Sequence, residues 1–250
     1  MTTVLETRGL VKNFGSFVAT NGVNLRVQAG ARHALIGPNG AGKTTLINLL
    51  TGFLEPTAGE VLLRGECVTR LSQHRRVKRG LVRTFQINRL FADLTVLESV
   101  LMAVNERLGL GARFWRPVGA FGEAVDQAAA LLASMRLLEV AHETTRRLPY
   151  GKQRLVEIAL ALAARPQVLL LDEPAAGVPA SESRELFDTI AQLPSVVTIV
   201  LIEHDMDLVF RFAERISVLV NGALLTEDVP EAIARNPEVR QVYLGEAISG

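Results

Sequence analysis

The sequence predicts an α/β fold: a mostly parallel sheet covered by helices, a small antiparallel β subdomain and an inserted helical subdomain. Three observations carry this. Continuous apolar runs alternate with helix-like stretches, the β-α-β rhythm of a parallel sheet. Residues 4 to 27 and 59 to 69 instead read as short strands broken by Gly and Asn turns. Residues 87 to 157 hold no convincing buried strand and carry helical patterning.

Ala31 to Ile36 is a short apolar strand ending in a Gly-rich loop, after which Lys43 to Thr51 reads as a helix. Val168 to Leu171 and Val196 to Ile202 are leucine and β-branched runs suited to strands buried on both faces. Between them Ser181 to Leu193 has helical character. Within the insertion, Leu97 to Glu106, Ala124 to Leu138 and Lys152 to Ala164 look helical, and Gly109, Gly111, Pro117, Gly119 and Gly122 break its middle. The expected division is therefore a core of 1–86 and 158–250, with a helical subdomain over 87–157.

The 250 residues suffice for one large domain with a subdomain, and 48% hydrophobic content suffices for its core. A formal net charge of +1 gives no global field to draw nucleic acid. The single cysteine, Cys67, rules out a disulfide framework and is expected to be a small core residue. The basic run His74, Arg75, Arg76, Lys78, Arg79 and Arg83 is expected to be a solvated face. Thr189 to Ile202 is uncharged, but Pro194 interrupts it and it falls short of the ~18 residues of a membrane span. The chain reads as soluble, so any work at a membrane requires docking on a partner.

Gly37-Pro38-Asn39-Gly40-Ala41-Gly42-Lys43-Thr44 fits the phosphate-loop pattern G-x-x-x-x-G-K-[ST] at every fixed position, after a strand and at the start of a helix. Glycines let consecutive backbone N–H groups turn toward one anion, and the helix N-terminus adds partial positive charge. Lys43 suits the β- and γ-phosphates, and the Thr44 hydroxyl suits Mg²⁺. The fold class sharpens to a RecA-like P-loop NTPase core. Val168 to Leu171 ends in Asp172 and Glu173, whose side chains point opposite ways on a regular strand. Asp172 suits the Mg²⁺ shell, and Glu173 suits the attacking water.

Leu148-Pro149-Tyr150-Gly151-Lys152-Gln153-Arg154 resembles the ABC signature, usually written LSGGQ. Gln86, after the strand Leu81 to Phe85, looks like the Q-loop glutamine, and His204, after Val196 to Ile202, looks like the switch histidine. Phe14, in a short loop after the first strand, resembles the aromatic that stacks on adenine. The order Lys43, Gln86, Gly151, Asp172-Glu173, His204 is the ABC ATPase order, and the resemblance covers essentially the whole chain. Arg83-Thr84-Phe85-Gln86, the signature tyrosine and Glu173-Pro174-Ala175-Ala176-Gly177 look like the ATP-binding subunits of branched-chain amino acid transporters. Relatives with this wording also serve urea, amide and aromatic-acid uptake.

The resemblance implies ATP held by Gly37 to Thr45, so Thr45 joins the loop, and Mg²⁺ held by Thr44, Gln86 and, through water, Asp172. Glu173 would orient the water and His204 would contact the γ-phosphate. Tyr150, Gly151 and Lys152 would cover the nucleotide of a second ATPase subunit, the same chain or, more in keeping with the motif wording, a different one. The pair would drive transmembrane permease subunits from the cytoplasmic face of the membrane, served indirectly by a periplasmic or extracellular solute-binding protein. The competing reading is a soluble ABC-family ATPase not tied to transport, but the chain lacks a long coiled-coil insertion or tandem ATPase domains. Two residues depart from the family: Pro149 replaces the signature serine, and Pro179 stands where an aspartate is usual.

Overall fold

The computed structural model describes residues 2–84, 93–110 and 122–247. By internal contacts the chain forms two units. One comprises Met1–Arg83, Gln167–Glu173 and Ser195–Gly250, and the other Thr84–Pro166 and Pro174–Pro194. The sequence reading drew its seams at 86/87 and 157/158. By contact, residues 158–166 and 174–194 go with the helical unit instead.

The first unit holds two sheets. β1 (Thr3–Phe14), β2 (Phe17–Val23), β3 (Arg26–Gln28), β5 (Ala58–Leu63) and β6 (Glu66–Cys67) form an antiparallel sheet in which β1 pairs with β2, β3 and β5. The second sheet has the order β11-β10-β4-β9-β8-β7, from β11 (Ala223–Asp228), β10 (Arg215–Val220), β4 (Arg32–Ile36), β9 (Thr198–Ile202), β8 (Val168–Asp172) and β7 (Leu81–Arg83). All its pairings are parallel except the edge pair β10–β11.

Every residue of β4 and β9 is buried; β9 is apolar after Thr198, and β4 is apolar over Ala34 to Ile36, after the buried Arg32 and His33. The alternation of strand side chains divides the core. Leu35, Leu170, Val200 and Ile202 join the cluster that includes Leu46, Leu49 and Leu50 of α1 (Lys43–Thr51) and the antiparallel sheet. Ala34 and Ile36 join the opposite cluster with Val209 of α7 (Met206–Phe212), Ile233 of α8 (Pro230–Arg235) and Val239 of α9 (Pro237–Ala247).

Two expectations fail here. Cys67 is exposed, because it lies on β6, the two-residue edge strand. Arg76 is buried within α2 (Gln73–Lys78) and donates to the carbonyls of Leu49, Leu50, Thr69 and Leu71. It satisfies orphan carbonyls at the end of α1, and burial pushes its guanidinium down to about 10. The basic run is thus not uniformly a solvated face.

The second unit is helical: α3 (Val96–Arg107), α4 (Gly122–Ser134), α5 (Tyr150–Ala163) and α6 (Ala180–Ala191). Thr95 starts α3 with a capping box, accepting the Glu98 N–H at 3.2 Å while the Glu98 carboxylate accepts that of Thr95 at 2.8 Å. α4 stops at Ser134 rather than Leu138. Arg136 takes a left-handed φ of 54°, and the Leu137 N–H bonds the Leu132 carbonyl at 2.8 Å, a helix-ending turn.

Candidate functional site

The loop 37–42 joins β4 to α1, and two of its glycines, Gly37 and Gly42, are there for want of space, while Gly40 takes a φ of 77°. A Cβ on Gly37 would lie 2.2 Å from the Leu219 carbonyl oxygen, and one on Gly42, at φ 97°, would lie 2.5 Å from that of Ala19. No side chain caps α1 and no acidic residue stands in its first turn, so its N-terminus is open to an external anion. Lys43 folds back on the loop, its Nζ donating to the carbonyls of Gly37 at 2.5 Å and Pro38 at 2.9 Å. Asn39, Gly40 and Thr44 are exposed, Ala41 is buried, and Pro38, Gly42, Lys43 and Thr45 are partly exposed.

Asp172 closes β8, paired with Ile202 of β9. Glu173 follows outside the strand, its N–H on the Ile202 carbonyl at 2.9 Å. Its φ of 47° lies in the left-handed region, unusual for a residue with a Cβ. The regular alternation expected for the two carboxylates therefore ends at Asp172. What separates their directions is this backbone turn, and it leaves Glu173 exposed.

His204 follows β9 with its side chain 66% exposed. Beside it Glu203 is 1% exposed and accepts the His204 backbone N–H at 3.1 Å, with its carboxylate 3.7 Å from His204 Nδ1. Sequence reasoning passed over Glu203. A carboxylate next to the histidine at the end of a fully apolar run was the available signal.

Phe14 is the last residue of β1 rather than a loop residue, paired across the hairpin with Phe17. Both rings are open to solvent, and Lys12 Nζ lies 5.3 Å from the Phe14 centroid. The P-loop, Phe14, Asp172, Glu173 and His204 all belong to the first unit. Gln86 lies outside the described residues.

The donors Thr44 and Asp172 offer only oxygen, as a small hard cation requires. Among the described residues no three His, Cys, Asp or Glu converge into a metal site. The hydroxyl and carboxylate oxygens are of the kind Mg²⁺ takes from a protein when substrate phosphates supply the rest.

Arg83, the other exception in the basic run, points at this carboxylate. Its Nη2 lies 2.5 Å from Asp172 Oδ2, and its Nη1 donates to Asn48 Oδ1 of α1 at 2.8 Å.

Tyr150, Gly151 and Lys152 open α5 in the second unit, behind Pro149 at φ −52° and ψ 150°. The Gly151 N–H meets Glu182 Oε2 at 2.7 Å, and Lys152 Nζ meets Glu185 Oε1 at 2.8 Å. The Tyr150 hydroxyl accepts from Arg154 at 2.9 Å, and Arg154 pairs with Glu157 at 2.7 Å.

Comparison with known proteins gives the family. The profile of a family described as ABC transporter matches residues 20–176. The high-affinity branched-chain amino acid transport ATP-binding protein BraF of Pseudomonas aeruginosa is 44% identical over 251 residues, 98% of each chain. The protein of the same description, LivG, from Escherichia coli (strain K12) is 44% identical over 254 residues, again 98% of each chain. Among solved structures, an ATP-binding cassette of an ABC transporter in its ADP conformation superposes with a TM-score of 0.86 at 31% identity, covering 98% of this chain and 100% of that one. A nucleotide-free cassette gives 0.83 at 30% identity, with 96% and 98% covered. The fold is thus that of a P-loop NTPase, and the chain belongs to the ABC transporter family as an ATP-binding cassette.

Proposed function

We propose that this chain is the ATP-hydrolysing subunit of an importer for branched-chain amino acids or a related small solute, working peripherally at the cytoplasmic face of the membrane. The observation that carries the chemistry is the glycine cradle at an uncapped helix N-terminus, in one contact unit with Asp172, Glu173 and His204. The 44% identity to BraF and LivG over nearly the whole chain supports the solute class. Among the described residues no helix is long and apolar enough to cross a membrane, so permease subunits would supply the passage.

Gly37 to Thr45 hold the phosphates, and Lys43 exchanges its loop carbonyls for phosphate oxygens. Phe14 supports the base. Thr44, Gln86 and, through water, Asp172 would hold the metal. Mg²⁺, when bound, neutralises phosphate charge that the backbone alone cannot. Glu173 orients a water and accepts its proton, and its exposed position after β8 suits that task. His204 contacts the γ-phosphate, with buried Glu203 behind it. Tyr150, Gly151 and Lys152 cover the nucleotide of a second ATPase subunit, in our reading a different chain. A solute-binding protein delivers cargo to the permease, and nucleic acid has no part.

The test is Glu173→Gln, which keeps shape but loses the base. ATP binding should persist while hydrolysis falls by ~10²–10⁴, and the parent should co-purify with a polytopic membrane protein. Unchanged turnover would move the base elsewhere.

A further inference from the structure

The carboxylate at the end of β8 is already held. Arg83 ends β7, the strand hydrogen-bonded to β8, with Arg83 beside Leu170 in the register. Its guanidinium reaches along β8 to Asp172 Oδ2 at 2.5 Å and across to Asn48 Oδ1 at 2.8 Å. Asn48 lies on α1, the helix that the phosphate loop opens. The two charged side chains are only 17% and 22% exposed, so water screens them incompletely. The planar fork of Arg83 suits holding two oxygens from two elements at once, as a lysine could not.

This has a consequence for any divalent cation that comes to Asp172. The cation meets a carboxylate whose charge is shared with a fixed cation, so its attraction to the site is reduced. The same fork ties the carboxylate to α1 through Asn48.

We infer that Arg83 is a positioning residue that holds the Asp172 carboxylate against Asn48 of α1 and weakens, by its charge, the binding of a divalent cation with the nucleotide. The inference rests on the proposed placement of Asp172 toward the metal.

The experiment is equilibrium binding of a fluorescent ADP analogue to the full chain, in EDTA and across a Mg²⁺ titration. Arg83→Gln removes the charge and keeps a donor. Its Mg²⁺ midpoint should fall about fivefold, the size of a part-exposed ion-pair contribution, with affinity in EDTA unchanged. Arg83→Lys keeps the charge but gives up the fork to Asn48, and should shift the midpoint no more than loss of that second anchor does. Asn48→Leu removes the second anchor and should shift the midpoint the same way by less, which keeps the test available if Arg83→Gln fails to fold. A midpoint that stays or rises in the glutamine variant overturns the inference, as does an equal change in EDTA. Asp172→Asn separates the two readings. If it leaves the Mg²⁺ midpoint untouched, the placement of Asp172 fails; if it raises the midpoint while Arg83→Gln does nothing, the role of Arg83 alone fails.

Discussion

The Glu182 carboxylate of α6 accepts the backbone N–H of Gly151 at 2.7 Å, so the first turn of α5 is met by an anion from its own chain. The same helix holds Lys152 through Glu185 at 2.8 Å. In the proposed assembly this N–H would serve the phosphate of the partner's nucleotide, and Glu182 competes with it. Glu182→Gln keeps an acceptor but removes the charge that strengthens the contact. In a Glu173→Gln background, ATP-dependent dimerisation measured by light scattering should rise about fivefold, for ~1 kcal/mol of contact strength lost. No rise would make Glu182 a helix cap and nothing more.

Pro149 offers the opposing phosphate neither a hydroxyl nor an N–H, and its φ of −52° merely suits the N-cap of α5. Pro149→Ser restores both. A hydrogen bond to a charged group is worth about 1.5–3 kcal/mol, so self-dimerisation with ATP should gain roughly one to two decades. Size exclusion and turnover of the purified chain read this out. No change would leave Tyr150, Gly151 and Lys152 sufficient by themselves.

Lys43→Ala removes the only cationic side chain of the loop, along with its ties to Gly37 and Pro38. Nucleotide affinity and hydrolysis should both collapse, while the circular dichroism spectrum stays that of the parent. An active variant would mean the site is elsewhere.

Arg154 and Glu157 form an ion pair at 2.7 Å with both side chains 7% exposed, and Arg154 also reaches the Tyr150 hydroxyl and the Ala176 carbonyl. Burial pushes the Glu157 carboxyl up while Arg154 opposes it. Arg154→Leu leaves that carboxylate buried without its partner and should cost about 3–5 kcal/mol, read as a lower urea midpoint. The double variant Arg154→Leu, Glu157→Leu should recover most of the loss. Equal destabilisation of single and double variants would show that Arg154 acts through Tyr150 and Ala176 instead.

His33 is buried in β4 and hydrogen-bonded to Ser217, whose hydroxyl donates to Glu227. Burial pushes its imidazole from 6.5 down to about 4, against the pull of Glu227 and with a smaller push from Arg215. The unfolded chain therefore binds a proton that the folded chain refuses. Stability from this group is complete above pH 6.5 and falls as pH drops toward 4, by on the order of 3 kcal/mol. In His33→Gln that part of the slope should vanish from urea midpoints measured across this range. An unchanged slope would place the acid sensitivity in other groups.

Much of this protein is legible in its sequence because it depends on local chemistry. The phosphate loop needs glycines where the backbone passes 2.2–2.5 Å from where a Cβ would sit, and no other residue type leaves that signature. β8, β9 and the end of β4 announce themselves because parallel strands covered on both faces carry apolar runs, here Val168 to Leu171, Ile199 to Ile202 and Ala34 to Ile36. β10 and β11 were not assigned from sequence: β11, on the sheet edge, is only partly buried, and β10 has no motif beside it. Glu203 and Arg83 were missed as site residues for a different reason. A charged side chain's partner is chosen by distance in space, and Arg83 and Asp172 are 89 positions apart in the chain. The sequence by itself determined the α/β class, the phosphate-loop motif and the two carboxylates at the end of β8, since each rests on residue type at fixed spacing. Only the tertiary structure decided that Arg76 is buried on the end of α1, that Glu173 turns through a left-handed φ, and that Arg83 and Glu182 occupy groups a nucleotide site would use. Those are consequences of packing, which brings together charges that no local pattern relates.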